Sequence, residues 1–158
     1  MPYILYTWGY QSRSIGDLDV LIEKYNIDWI VDVRRRAWAQ YQPAFRSSNL
    51  QQHFQQKNHA SYKTLGRYLG NLHQALPWKK PTDWQTGIDQ VVEMLDHRHN
   101  VLLLCLERDP VRCHRYEVAQ AIQELTGYDV VHLGWPPEGQ DKKKAKDKKK
   151  QAEQLTLF

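Results

Sequence analysis

Two short stretches of this sequence limit the folds open to it. Val101-Leu102-Leu103-Leu104-Cys105 is apolar throughout, and Trp29-Ile30-Val31-Asp32-Val33 is apolar but for one Asp. A strand with one wet face alternates apolar and polar residues. A strand covered on both faces does not, and such strands belong to parallel sheets enclosed by helices. Two further β-like runs, Tyr3-Ile4-Leu5-Tyr6-Thr7 and Asp129-Val130-Val131-His132-Leu133, stand on either side of them in the chain.

Helical periodicity fills the intervals. Ser14 opens a stretch with Leu18, Leu21, Ile22 and Tyr25 on one face, and Asn26 closes it. A second helix is predicted from about Ser48 to Lys57, and a third from Thr82 to about His97 with Ile88, Val91, Val92 and Leu95 inward. A fourth begins at Asp109-Pro110, an N-cap followed by proline, and stops at Gly127. Strands alternating with helices predict an α/β domain over residues 1–137, a mainly parallel sheet flanked by helices in a Rossmann-like three-layer arrangement. The middle, Arg34 to Pro81, reads as aromatic, Gln-rich and basic, with a Leu65-Gly66…Leu69-Gly70 turn region. An irregular insertion of that length usually serves a site.

Charge separates the body from the end of the chain. Of 22 Lys+Arg and 18 Asp+Glu, seven Lys and four acids lie between Glu138 and Phe158, leaving 15 basic and 14 acidic groups in the body. A nearly neutral body argues against a general nucleic-acid coat. Residues 138–153 are too polar to bury anything and read as a flexible Lys-rich linker. No apolar run approaches the ~20 residues of a membrane helix, and MPYILYTWGY lacks the basic start of a signal peptide. The two cysteines are too few for a disulfide framework, so a soluble cytoplasmic protein with reduced thiols is expected.

Ligands of open parallel sheets sit beyond the carboxyl ends of the strands. There the sequence places Gly9 and Tyr10 after the first strand, Asp32 within the second with Arg34, Arg35 and Arg36 after it, and Cys105 and Glu107 after the third. The next helix is expected to carry Arg112, Cys113, His114 and Arg115 in its first turns, where free N–H groups favour an anion and a thiol tends to ionise. One reading is a nucleophilic or redox-active cysteine beside a phosphate-sized site, with Arg34 and Arg115 as forks for its oxygens and Glu107 as a base or an arginine partner. The other is that the cysteines are small buried hydrophobes within a structural ion-pair network. A zinc site from Cys105, Cys113 and His114 is disfavoured, because C-x7-C-H matches no usual ligand spacing and adjacent Cys-His rarely converge on one metal. Neither metal nor cofactor is expected.

Thr7…Gly9-Tyr10, Val31-Asp32-Val33-Arg34, Pro43…Phe45, Tyr62…Leu65-Gly66 and Leu103-Leu104-Cys105-Leu106-Glu107…Cys113-His114-Arg115 together resemble the domain of unknown function 488 family over roughly residues 3–134. The string Cys-x-Glu-x5-Cys-His-Arg is the most specific part. Trp8 and the triple-Arg run depart from the pattern. The resemblance implies a fold and a site, but no established reaction. Val-Asp-Val-Arg is also similar to rhodanese-like domains, although no Cys-x5-Arg loop follows the third strand.

The chain ends Gln154-Leu155-Thr156-Leu157-Phe158, large apolar groups on a polar arm. Such a peptide suits docking, with Gln154 hydrogen-bonding and Leu155, Leu157 and Phe158 filling an apolar pocket. It is similar to the peptide by which bacterial replication and repair proteins bind the DNA sliding clamp, with Thr156 for the usual Ser or Asp. The alternative is a tail folded onto the body. The expectation is therefore a DNA-maintenance factor whose body meets nucleic acid or a phosphate-bearing ligand, with Trp38, Tyr41, Phe45, Tyr62 and Arg46 as stacking and phosphate contacts. The alternatives are a thiol-dependent small-molecule enzyme of rhodanese or phosphatase type, and a non-catalytic adaptor.

Overall fold

The computed structural model describes residues 3–57, 60–73 and 76–135; the Lys-rich stretch 138–153 and the docking residues Gln154, Leu155, Leu157 and Phe158 lie outside them. The elements run β1 (Ile4–Gly9), α1 (Ile15–Tyr25), β2 (Trp29–Asp32), a 3-10 turn (Pro43–Phe45), α2 (Ser47–Lys57), β3 (Ser61–Thr64), α3 (Gly66–Leu69), α4 (Trp84–Asp96), β4 (Val101–Cys105), a second 3-10 turn (Pro110–Arg112), α5 (His114–Thr126) and β5 (Asp129–His132). All strand pairings are parallel, in the order β3-β2-β4-β1-β5.

The unbroken apolar run of β4 follows from its place between two cores. Val101, Leu103 and Cys105 face one layer, with Ile88, Val91 and Leu95 of α4 and Val118 and Ile122 of α5. Leu102 and Leu104 face the other, with Leu18 and Ile22 of α1 and Leu50 and Phe54 of α2. Successive side chains of a strand point to opposite faces, so a central strand in this three-layer fold has no wet position. Among the described residues no helix is long and apolar enough to cross a membrane.

Caps fix the helix boundaries. Ser14 and Asp17 form a reciprocal capping box at the start of α1, and Asn26 ends it in the left-handed region at φ 52°. Gly127 does the same for α5 at φ 78°. The helix expected from Asp109 starts later. Asp109 caps only the 3-10 turn, accepting from the Val111 amide, and α5 begins at His114 with Cys113 as an extended N-cap. The middle segment is also more regular than expected, since β3 lies within it. Its Ser61-Tyr62-Lys63-Thr64 sequence is an edge strand with little apolar pattern, which hides it from periodicity.

This order makes a switch point between β2 and β4. The chain leaving β2 turns to α2 on one face of the sheet, whereas the chain leaving β4 turns to α5 on the other. Loops that part in opposite directions open a crevice between neighbouring strand ends.

Candidate functional site

A cavity of about 470 Å³ occupies that crevice. Arg34, Arg35 and Arg36 from the end of β2 form one wall, and Cys105, Leu106 and Glu107 from the end of β4 another. Arg112 of the second 3-10 turn, the N-cap Cys113 and His114 at the start of α5 enter from a third side, and Asn71, Leu72, His73 and Leu76 close the remaining one. Most of the expected site converges here, including Arg34, Cys105, Glu107, Cys113 and His114. Asn71, Leu72, His73 and Leu76 carry no periodic signal that would mark them as cavity residues in the sequence. Arg35 Nη1 ties this side down by donating to the Leu72 carbonyl at 3.3 Å.

Cys105, Cys113 and His114 form a compact group. His114 Nδ1 lies 3.9 Å from Cys105 Sγ and 4.0 Å from Cys113 Sγ. Its Nε2 is 2.8 Å from the Val33 carbonyl. A carbonyl only accepts, so Nε2 carries the proton, and in the neutral ring Nδ1 turns its lone pair toward the sulfurs. Trp78 packs beside the ring, 6.5 Å between centroids, and its own N–H donates to Gly70 O at 3.1 Å. The two thiols part in acidity. A hydrogen bond from Cys113 holds the Cys105 thiol below its ordinary value against burial, with the Arg115 charge assisting. The same hydrogen bond, then burial, pushes Cys113 up.

Arg34 is anchored rather than loose. Its Nε and Nη2 grip Asp32 at 2.8 and 2.6 Å, and Nη2 also donates to Phe45 O at 2.7 Å. Tyr62 donates to the same carboxylate at 2.6 Å, and Tyr10 lies under the guanidinium, 5.0 Å from it. Burial opposes the Arg34 charge, but the Asp32 hydrogen bonds and charge reverse that and hold it above its ordinary value. Burial and then the Asp32 charge push the Tyr62 hydroxyl up. Asp32, Tyr10 and Tyr62 are thus supports behind the cavity wall. One guanidinium nitrogen, Arg34 Nη1, is buried without a hydrogen-bond partner among the described residues.

Arg115 is fully buried and does not line the cavity. Its donors go to Thr7 Oγ1, Glu107 O and Arg108 O, so it clamps the loop after β4 from within. Gly9 permits that loop to close on β1, since a Cβ there would stand 1.8 Å from Glu107 O. Glu107 meets Arg115 through its backbone carbonyl, and the residue lines the cavity. Arg112 is mostly exposed and lies 3.9 Å from Asp109, a weak surface pair.

The expected stacking surface divides. Phe45 is buried at 1% exposure, stacked on Tyr10 at 4.6 Å, because the 3-10 turn after Pro43 points it inward. Trp38 and Tyr41 are exposed at 64% and 89%, and Arg46 lies 4.3 Å over the Trp38 ring.

A family model described as Domain of unknown function DUF488 matches residues 17–122, and the chain belongs to that family. No curated protein and no solved structure matches it.

Proposed function

We propose that this member of the DUF488 family is a DNA-maintenance factor whose body holds nucleic acid, or another phosphate-bearing ligand, in the β2/β4 cavity. The observation that carries this reading is the convergence of Arg34, Arg35, Arg36 and Arg112 around a cavity in which, among the described residues, Glu107 is the one acidic lining residue. Asp32 offsets one of those charges, and the balance remains positive. Guanidinium forks match phosphate oxygens, and a cavity of about 470 Å³ is of the size that takes a nucleotide-like group. Trp38, Tyr41 and Arg46 supply exposed aromatic and cationic surface nearby in the chain, the composition that stacks on unpaired bases. The Gln154–Phe158 peptide, by its likeness to clamp-docking peptides, would recruit the body to the sliding clamp.

The test is fluorescence polarisation with a labelled single-stranded oligonucleotide across a salt series. Replacing Arg35, Arg36 and Arg112 together by Ala should weaken binding at least tenfold and flatten the salt dependence. Unchanged affinity would remove the cavity from the reading. Recruitment is tested separately with purified clamp: Leu157→Ala/Phe158→Ala should abolish binding, and an intact chain that ignores the clamp at tens of micromolar would end that part.

A thiol-dependent enzyme is the second reading, favoured by the placement of both sulfurs and the His114 Nδ1 lone pair on one cavity. Rapid alkylation of one cysteine at neutral pH, slowed by phosphate, would support it. Equal and slow reaction of both would count against it.

A further inference from the structure

The ligand atoms of Cys105, Cys113 and His114 all lie within 4.8 Å of one another. A C-x7-C-H spacing matches no usual ligand pattern, and adjacent Cys-His rarely converge on one metal. The structure removes that obstacle. Cys113 is not helical but an extended N-cap, φ −128° and ψ 144°, so its thiol and the His114 ring both turn toward the end of β4. Cys105, the last residue of β4, meets them there.

The dimensions suit a tetrahedral ion. With Zn–S near 2.3 Å and Zn–N near 2.0–2.1 Å, tetrahedral angles place sulfur about 3.6 Å from nitrogen and the two sulfurs about 3.8 Å apart. The observed N···S separations of 3.9 and 4.0 Å need to shorten by only a few tenths of an ångström. The outer shell is in place as well. The Val33 carbonyl holds the Nε2 proton and so presents Nδ1 as the ligand, the arrangement that ordinarily orients a metal-bound imidazole. Among the described residues no fourth His, Cys, Asp or Glu joins the group. All three residues line the cavity.

We propose that Cys105, Cys113 and His114 bind one zinc-class divalent cation, with the fourth position available to water or to a ligand in the cavity. Two thiolates and an imidazole select zinc or a similarly borderline metal over magnesium or calcium. Binding replaces two S–H bonds by two S–metal bonds and releases two protons to solvent; no electron moves. The dication and two thiolates sum to zero, which lets a largely buried site form without an uncompensated charge. The inference needs no assumption about what the arginines hold.

The test uses the full chain, reduced and stripped of metal with a chelator. Cobalt(II) added to it should give one equivalent of a tetrahedral visible spectrum with a thiolate charge-transfer band. One equivalent of zinc should displace it, with two protons released per ion. Zinc should also shield both cysteines from alkylation, counted by mass spectrometry. Cys105→Ser and Cys113→Ser, checked for folding by circular dichroism, should each lose the charge-transfer intensity. Because the alkylation arm uses the unaltered protein, misfolded variants leave the proposal exposed to refutation. An octahedral cobalt spectrum, or alkylation of both thiols at the same rate with and without zinc, overturns it.

Discussion

Arg34 Nη2 lies 2.6 Å from Asp32 Oδ2, with side-chain exposures of 6% and 1%. The two residues stand two positions apart at the end of β2, and the carboxylate also receives the Arg34 amide at 3.1 Å and the Tyr62 hydroxyl at 2.6 Å. Such a pair adds little relative to well-packed apolar residues, yet removing one partner strands a buried charge. Asp32→Ala should therefore destabilise the body by about 3–5 kcal/mol, read as a lower urea midpoint at unchanged slope. A loss below about 1 kcal/mol would mean that Arg34 relaxes to water, and that its position in the cavity wall is not fixed by Asp32.

Gly9 and Gly127 should behave differently on substitution by Ala. A Cβ at Gly9 meets the Glu107 carbonyl at 1.8 Å, a backbone atom that can move only with the loop carrying Leu106 and Glu107. Gly127 has φ 78° but open space around its Cβ position. Gly127→Ala should cost about 1 kcal/mol, the strain of a left-handed C-cap, and leave cavity binding unchanged. Gly9→Ala should cost about 1–3 kcal/mol and also weaken whatever the cavity binds, since it displaces the Cys105–Glu107 wall. Thermal unfolding with a parallel binding titration separates the two. Equal effects on binding would show that the Gly9 contact does not set the cavity shape.

The sheet and its layers were legible because burial on both faces leaves a mark in sequence. Val101–Cys105 and Trp29–Val33 could be read as strands covered on both faces from their near-continuous apolar runs, and Ser14, Asn26 and Gly127 marked helix ends by their own chemistry. β3 was not, because an edge strand such as Ser61–Thr64 needs few apolar side chains. The site was legible as a set of strand-end residues but not in its roles. Arg34 and Arg115 look alike in sequence, yet one borders the cavity and the other is fully buried behind it. That difference depends on which backbone carbonyls lie within reach, and carbonyl positions leave no mark in residue type. The same holds for Cys113, whose extended N-cap conformation leaves no mark in residue type, yet its thiol lies close to Cys105 and His114.

Arg115 offers a direct check on its role as an internal clamp. Its guanidinium serves Thr7 Oγ1, Glu107 O and Arg108 O, three acceptors spread over β1 and the loop after β4. A lysine ammonium keeps the charge but cannot reproduce that fork. Arg115→Lys should cost on the order of 2 kcal/mol, because at least one buried acceptor goes unmet. Hydrogen exchange should show the 106–109 loop opening more often. If exchange there is unaltered while cavity binding is lost, Arg115 acts on the ligand instead of on the loop.

His132 gives the body a pH dependence of defined sign. Its Nδ1 accepts from the Thr7 hydroxyl, whose oxygen in turn accepts from Arg115 Nε, and Tyr116 stacks on the ring at 5.5 Å. Burial first, and then the Arg115 charge, hold the imidazole down to about 4, against about 6.5 for an unfolded His. The unfolded chain therefore takes up a proton first as the solution is acidified. The stability that depends on a neutral His132 is complete above about pH 6.5, shrinks as pH falls toward 4, and falls no further below it. With the ring partly accessible, solvent screening reduces the effect to on the order of 1–2 kcal/mol. Urea unfolding at pH 7.5 and pH 5, for wild type and His132→Gln, isolates it from the carboxylates. The wild type should lose more stability than the variant over that interval, because Gln can keep a hydrogen bond to Thr7 and does not titrate. Parallel losses would show that the folded body accommodates a charged His132, and that the Arg115–Thr7–His132 chain does not hold the ring neutral.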